Sequence, residues 1–245
     1  MGKYAVLSDI HGNLQALQSV YSDLNNRDMK INGILLLGDI IDYGMQSNEC
    51  VHYISNEFEY PVLCNLWGNH ERAIMLSDFT GFSSERGTES AIRTANKLES
   101  GVRRYLDENL VHEGYLEFDL DSFKCLAVHG SQDHPYWKAI YPDKVNGDYS
   151  EYDIVFSGHS HYSHMFTKFY HCKDEKMRNK HAVLFINPGS VGQPRNHHPQ
   201  AQYVIFDTDT RSADLRSVDY DIEKAASYFD GTVDDFYRRR LFAGV

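Results

Sequence analysis

The stretch Lys3–Asn13, KYAVLSDIHGN, runs from an apolar segment straight into a carboxylate, an imidazole and an amide at Asp9, His11 and Asn13. Four further segments repeat that junction. GILLLG precedes Asp39, PVLCNLWG precedes Asn69, KCLAV precedes His129, and DIVFSG precedes His159, with His161 two residues later. Each run is short enough for a buried strand and is followed by polar or helical sequence, the alternation of an α/β protein. The carboxyl ends of strands in an open α/β sheet lie along one edge, where such sheets carry their chemistry. The pattern therefore predicts that Asp9, His11, Asp39, Asn69, His129, His159 and His161 meet in space.

Those residue types point to metal. Carboxylate, imidazole and amide oxygen without thiolate suit manganese or iron, with zinc, cobalt and nickel also compatible, and they do not suit a structural Cys-type zinc site. Magnesium fits poorly with so much imidazole. Two divalent ions about 3.5–4 Å apart need a bridging ligand, and a carboxylate has the two oxygens for it. Asp39 is the candidate bridge, with Asp9, His11 and His161 completing one ion and Asn69, His129 and His159 the other.

The strings SDIHGN, GDIID, GNHE, AVHG and GHSH, in that order between Lys3 and Arg195, resemble the sequence blocks of the calcineurin-like metallophosphoesterase superfamily. SDIHGNLQAL, GDIIDYG, VHGSQDHPYW and FINPGSVGQPR are similar to a prokaryotic branch of phosphodiesterases and diadenosine tetraphosphatase-like enzymes. The resemblance implies the same ligand assignment and a four-layer α-β-β-α sandwich of two mixed β-sheets flanked by helices, the metallo-dependent phosphatase fold.

Two positions depart from what the resemblance would supply. Many members of the branch carry Gly at the position of Asp42, whereas this chain has Asp42 together with His70. In phosphoprotein phosphatases the matching carboxylate and imidazole form a dyad, which implies that Asp42 orients His70. Physically, a carboxylate fixes the tautomer of a neighbouring imidazole and raises its pKa, keeping a proton for a leaving alkoxide. Phosphoprotein phosphatases also carry Arg directly after that Asp, as a bidentate phosphate clamp, and here the residue is Tyr43. Arg195, closing GQPR, is the first candidate to replace the clamp; Arg72, just after GNHE, is the second.

The reaction expected is attack on phosphorus by hydroxide held between two metal ions, with inversion, while His70 protonates the departing oxygen. Neither a Cys-x5-Arg string nor G-x-S-x-G offers a competing nucleophile. The branch resemblance and the missing clamp favour phosphodiester or nucleotide-type substrates. A serine/threonine phosphoprotein phosphatase or general phosphomonoesterase is the alternative. An interaction scaffold with a degraded site, as in the retromer subunit of this fold, would have lost ligands that this chain keeps.

The rest of the chain supplies scaffold and bounds. The 245 residues, 42% hydrophobic, allow a substantial core, read as one domain with a helical cap inserted at about 72–110. Helices are predicted over 13–26, 47–58 and 222–242, the last interrupted at Gly231. Strands are predicted over 114–121, 123–128, 181–186, 202–207 and 213–218. Cys50, Cys64, Cys125 and Cys172 show no paired spacing and read as reduced thiols, and the amino terminus has no leader pattern, so a cytoplasmic location is expected. No apolar stretch reaches membrane-spanning length. A net charge of −11 gives no footprint for nucleic acid or anionic membrane and suits small phosphorylated substrates, nucleotides included; no obligate protein partner is expected. Tyr136 and Trp137 could stack on a base or simply pack in their loop.

Overall fold

The computed structural model describes residues 1–26 and 29–245. Its elements in chain order are β1 (Lys3–Leu7), α1 (Leu14–Asn25), β2 (Ile31–Leu36), α2 (Ser47–Glu57), β3 (Val62–Asn65), α3 (Asn69–Leu76), α4 (Glu85–Lys97), α5 (Ser100–Glu108), β4 (Tyr115–Leu120), β5 (Phe123–Val128), β6 (Ile154–Ser157), β7 (Ser163–His171), β8 (Lys180–Pro188), β9 (Ala201–Asp207), β10 (Ser212–Val218), α6 (Ile222–Ser227) and α7 (Asp235–Ala243). The strands form two five-stranded sheets, ordered β10-β9-β1-β2-β3 and β4-β5-β6-β8-β7. Both are mixed: β1, β2 and β3 run parallel, as do β5, β6 and β8, with antiparallel strands outside them.

Side-chain alternation explains how the sheets face each other. Along β5, Cys125 and Ala127 point into the core between the sheets, while Leu126 and Val128 point away. Along β1, Tyr4 and Val6 enter that same core, while Ala5 and Leu7 face the helices. The inner core is thus filled from both sheets by every second residue, the period-two pattern of strands buried on both faces. The helices cover the outer face of the first sheet, where Leu17 and Val20 of α1, Ile54 of α2, Ile74 of α3, Ala91 of α4 and Leu106 of α5 share one core. Outside the second sheet the covering layer is loop: Ile140, Tyr149 and Tyr152 close over Leu126, Val155 and Phe185.

β7 was not among the expected strands. Its sequence SHMFTKFYH alternates partly buried Phe166 and Tyr170 with exposed Met165 and Phe169. An edge strand that buries so little presents no apolar run, and only its antiparallel register with β8 identifies it. Among the described residues no helix is long and apolar enough to cross a membrane. The four cysteines are free, with Cys50, Cys64 and Cys125 buried.

Because β1, β2 and β3 are parallel in one sheet and β5 and β6 in the other, five strand ends open toward one edge of the sandwich. The backbone continues to pair beyond the strands. Asp9 N donates to Gly38 O at 3.0 Å, and Gly158 N donates to His129 O at 3.0 Å. The sheets are joined there as well, since His159 N donates to Asp9 Oδ2 at 3.1 Å.

Candidate functional site

The loops that leave these strand ends are tightly wound. Asp9, His11, Asp39, Asp42, Tyr43, His159 and His161 all have positive φ, between 48° and 73°. Left-handed backbone is uncommon for residues other than glycine and costs free energy, so it persists where surrounding bonds over-determine it. Glu71 supplies many of those bonds. Its carboxylate accepts from Asp39 N at 2.8 Å, Ile40 N at 2.7 Å, Ile41 N at 3.1 Å and Gly68 N at 2.8 Å. Burial and the Asp39 carboxylate push Glu71 up to about 7, against the pull of the Ile41 and Gly68 N–H groups. Gly68 must be glycine for space, since a Cβ there would lie 2.1 Å from Asp39 Oδ1.

Three imidazoles are oriented alike. His129 Nδ1 bonds to Leu37 O at 2.7 Å, His161 Nδ1 to Gln193 O at 2.6 Å and His11 Nδ1 to Ile41 O at 3.3 Å. A carbonyl only accepts, so each Nδ1 carries a proton, and in the neutral, ligand-competent form of each ring the Nε2 lone pair turns inward. Those lone pairs meet other electron-rich atoms. His11 Nε2 is 3.2 Å from His161 Nε2, which is 3.1 Å from Asp9 Oδ1. His129 Nε2 is 3.0 Å from Asn69 Oδ1 and 3.3 Å from Asp39 Oδ2. Asp9 Oδ1 is buried and accepts no hydrogen bond among the described residues. Lone pairs packed against lone pairs in a buried site repel one another, and divalent cations between them reverse the sign.

The donor set therefore fits metal, and its grouping is specific. Asp9, His11 and His161 converge within 4.8 Å, as do Asp39, His129 and His159; His11, Asp39 and His70 form a third such group. Asp39 is shared between two of the three. Burial holds His11 and His161 below the ordinary imidazole value, and burial together with His129 brings His159 down to about 3, all favouring the neutral ligand form. Burial also opposes the charged form of His129, yet Asp39 outweighs it and raises the group to about 9.

His70 is bound differently. Its Nδ1 lies 2.6 Å from Asp42 Oδ2, while its Nε2 faces Asp39 Oδ2 at 3.9 Å. Burial disfavours the imidazolium, but Asp39 and the bond to Asp42 prevail and hold His70 above its ordinary value. The other oxygen of Asp42 accepts from Ser90 Oγ at 2.7 Å and Thr94 Oγ1 at 2.8 Å.

Above these groups lies a cavity of about 300 Å³ whose walls include Tyr43, Phe82, Trp137 and Arg195. Tyr43 stacks on Tyr237 of α7 at 4.4 Å and packs edge-on to His70 at 4.4 Å. Burial pushes its phenol far above the ordinary value, so it stays a neutral hydroxyl. Arg195 N donates to His161 O at 3.3 Å, and its Nε has no hydrogen-bond partner among the described residues. Arg72 is directed elsewhere, 3.5 Å from Asp78 and over the Tyr136 ring at 5.3 Å. Trp137 meets Phe82 edge-to-face at 5.4 Å, and Phe82 meets His70 at 5.0 Å.

Sequence reading missed Glu71, Ser90, Thr94, Phe82 and Tyr237. Glu71 carried a signal, as an acidic residue three places after Gly68 at a helix start. Ser90 and Thr94 on α4, Phe82 in the loop before it and Tyr237 on α7 bear no spacing relation to the motifs.

The sequence signature of the calcineurin-like phosphoesterase superfamily domain matches residues 3–211. An uncharacterized protein of Methanocaldococcus jannaschii is 31% identical over 252 aligned positions, covering 98% of this chain and 97% of that protein. Among solved structures, a metallophosphoesterase from Sphaerobacter thermophilus is 27% identical with a TM-score of 0.73, covering 99% of this chain and all of its own. A hypothetical protein from Pyrococcus horikoshii shares the fold at a TM-score of 0.81 and 21% identity, over 100% of this chain and 99% of its own.

Proposed function

The chain belongs to the calcineurin-like phosphoesterase superfamily and is a phosphate-ester hydrolase, and from that premise we propose that it uses two divalent ions to hydrolyse phosphodiester or nucleotide-type substrates. In this reading Asp9, His11 and His161 hold one ion, Asn69, His129 and His159 the other, and Asp39 serves both. Manganese or iron fits the mixed oxygen and imidazole set best. Bound there, the ions supply Lewis-acid charge for the phosphoryl oxygens and make water a usable nucleophile at neutral pH.

The chain's own residues do the rest. Arg195 and the Tyr43 hydroxyl receive the phosphoryl oxygens from above. His70, oriented through Nδ1 by Asp42, keeps a proton at Nε2 for the departing oxygen. We read the segment 72–110 as a cap within a single domain, with Phe82 closing the cavity beside His70. Buried free thiols at Cys50, Cys64 and Cys125 support a cytoplasmic setting.

The observation that carries the diester reading is the pairing of one guanidinium with a neutral phenol in the cavity wall. A phosphomonoester carries about −1.5 to −2 charge at pH 7, whereas a diester carries a single charge that one arginine matches. A phosphoprotein phosphatase is the second reading, favoured by the Asp42–His70 bond. Both are tested by stripping the metal, reconstituting with Mn²⁺, Fe²⁺, Co²⁺, Ni²⁺ or Zn²⁺, and comparing bis-p-nitrophenyl phosphate with p-nitrophenyl phosphate. Diester preference is expected. Monoester or phosphopeptide preference would reverse the order, and turnover independent of metal would remove the mechanism.

A further inference from the structure

We infer that Ser90 and Thr94 on α4 are positioning residues that hold the proton-donating His70 in place through Asp42. The inference rests on the general-acid reading of His70 given above. Asp42 has two oxygens and both are engaged. Oδ2 lies 2.6 Å from His70 Nδ1, and Oδ1 accepts the hydroxyls of Ser90 at 2.7 Å and Thr94 at 2.8 Å. All four residues are buried: Asp42 is 0% exposed, Ser90 1%, Thr94 2% and His70 2%.

Position on the helix explains why two hydroxyls are needed. Residues four apart on a helix share a face. Ser90 and Thr94 therefore reach the same oxygen from successive turns of α4, while Ala91 of that helix is fixed in the hydrophobic core. Together they oppose rotation of the Asp42 carboxylate, and so fix the plane in which it receives the imidazole N–H. Ser47 Oγ accepts from Asp42 N at 3.0 Å and anchors the backbone of the same residue. Tyr43 and Phe82 pack edge-on to the His70 ring at 4.4 Å and 5.0 Å, which limits its tilt but leaves its in-plane direction to Asp42. The inserted helix thus belongs to the proton-donating apparatus and does more than cover the cavity.

A purely structural role for the hydroxyls would lower stability or total activity without regard to leaving group. A positioning role has two distinct signatures. A short N–H···carboxylate bond gives a far-downfield, slowly exchanging imidazole proton, assigned to His70 by its loss in His70→Asn. In the Ser90→Ala/Thr94→Val double variant this resonance is expected to broaden or vanish, and in Thr94→Ser it is expected to remain. With the metal-reconstituted enzyme, the double variant should lose about ten-fold or more in kcat on alkyl phosphodiesters, part of the range such proton donation supplies. Its loss on p-nitrophenyl esters should be slight, with KM unchanged. Thr94→Val alone gives the same pattern at smaller amplitude and serves if the double variant does not fold.

An unchanged resonance, or equal loss on both esters, overturns the inference. His70→Asn separates the two levels. If His70→Asn is selective for poor leaving groups and the double variant is not, only the role of Ser90 and Thr94 falls. If His70→Asn itself loses equally on both esters, the proton-donor reading falls and takes the inference with it.

Discussion

At the scale of single residues, the site is a set of mutually repelling groups held by backbone bonds. His11 Nε2 and His161 Nε2 at 3.2 Å, and Asp9 Oδ1 without a donor among the described residues, are configurations that the metal-free protein tolerates only because neighbours impose them. Divalent ions should therefore stabilise the fold measurably. Ligand binding to the native state alone contributes about 2.7 kcal/mol at one hundred times Kd. Chelator treatment is expected to lower Tm, and Mn²⁺ to restore it, with the restoration weakening as pH falls because imidazole ligands must be deprotonated. A melting curve indifferent to chelator and metal would contradict this. Arg195→Ala provides a second test: with its Nε unpaired and its side chain in the cavity wall, the variant should raise KM several-fold while metal content stays unchanged. A fall in kcat at constant KM would place Arg195 in the chemistry instead. The convergence of the seven candidate ligands was legible because each lies where an apolar run ends. Ser90 and Thr94 were not, because a hydroxyl on an amphipathic helix looks the same in sequence whether it meets solvent or a buried carboxylate.

At the scale of elements, strands buried on both faces announce themselves and edge strands do not. β1, β2, β5 and β6 read as continuous apolar runs, whereas β7 buries only part of one face. The joint between the sheets was equally silent. Asp121, in the turn between β4 and β5, accepts from Thr208 Oγ1 after β9 and from Tyr4 OH of β1 at 3.3 Å, tying one sheet to the other. The Thr208 hydrogen bond is the main cause that lowers Asp121 from its ordinary value of 3.8. A carboxylate with a depressed folded-state pKa contributes stability above its unfolded pKa and loses it as pH falls through the folded value. Asp121→Asn is therefore expected to lower Tm at pH 7 relative to the parent. As pH falls from 3.8 through the lower folded-state value the two proteins should converge, because the parent's folded carboxylate then becomes protonated as well. Asn tolerates the φ of 54° at this turn, so backbone strain does not confuse the comparison. A constant difference between the two proteins across pH would show that the turn contributes through packing alone.

At the scale of the whole molecule, the acidic body and the cavity proposed to receive phosphate should pull an anionic substrate in opposite directions. The chain carries −11; the two divalent ions proposed above would add four positive charges, leaving the loaded protein near −7 (−11 + 4). At about 0.01 M salt the Debye length is about 30 Å, long enough for the entire body to repel an approaching anion, whereas at 0.15 M it is about 8 Å and only the cavity is felt. In the proposed function, Arg195 and the ions would lie within that short range once the substrate has arrived. Raising salt from low to physiological levels should therefore screen the repulsion and leave the local attraction largely intact. kcat/KM for a phosphodiester is expected to rise with NaCl over this interval, and to rise more steeply for substrates bearing further phosphates, because the long-range term scales with substrate charge. The measurement is kcat/KM against ionic strength for a singly charged diester and a polyphosphate-bearing nucleotide. If kcat/KM falls with salt for both, the field of the cavity reaches well beyond its mouth and steers substrate in. Multiply charged nucleotides would then displace simple diesters as the better substrates.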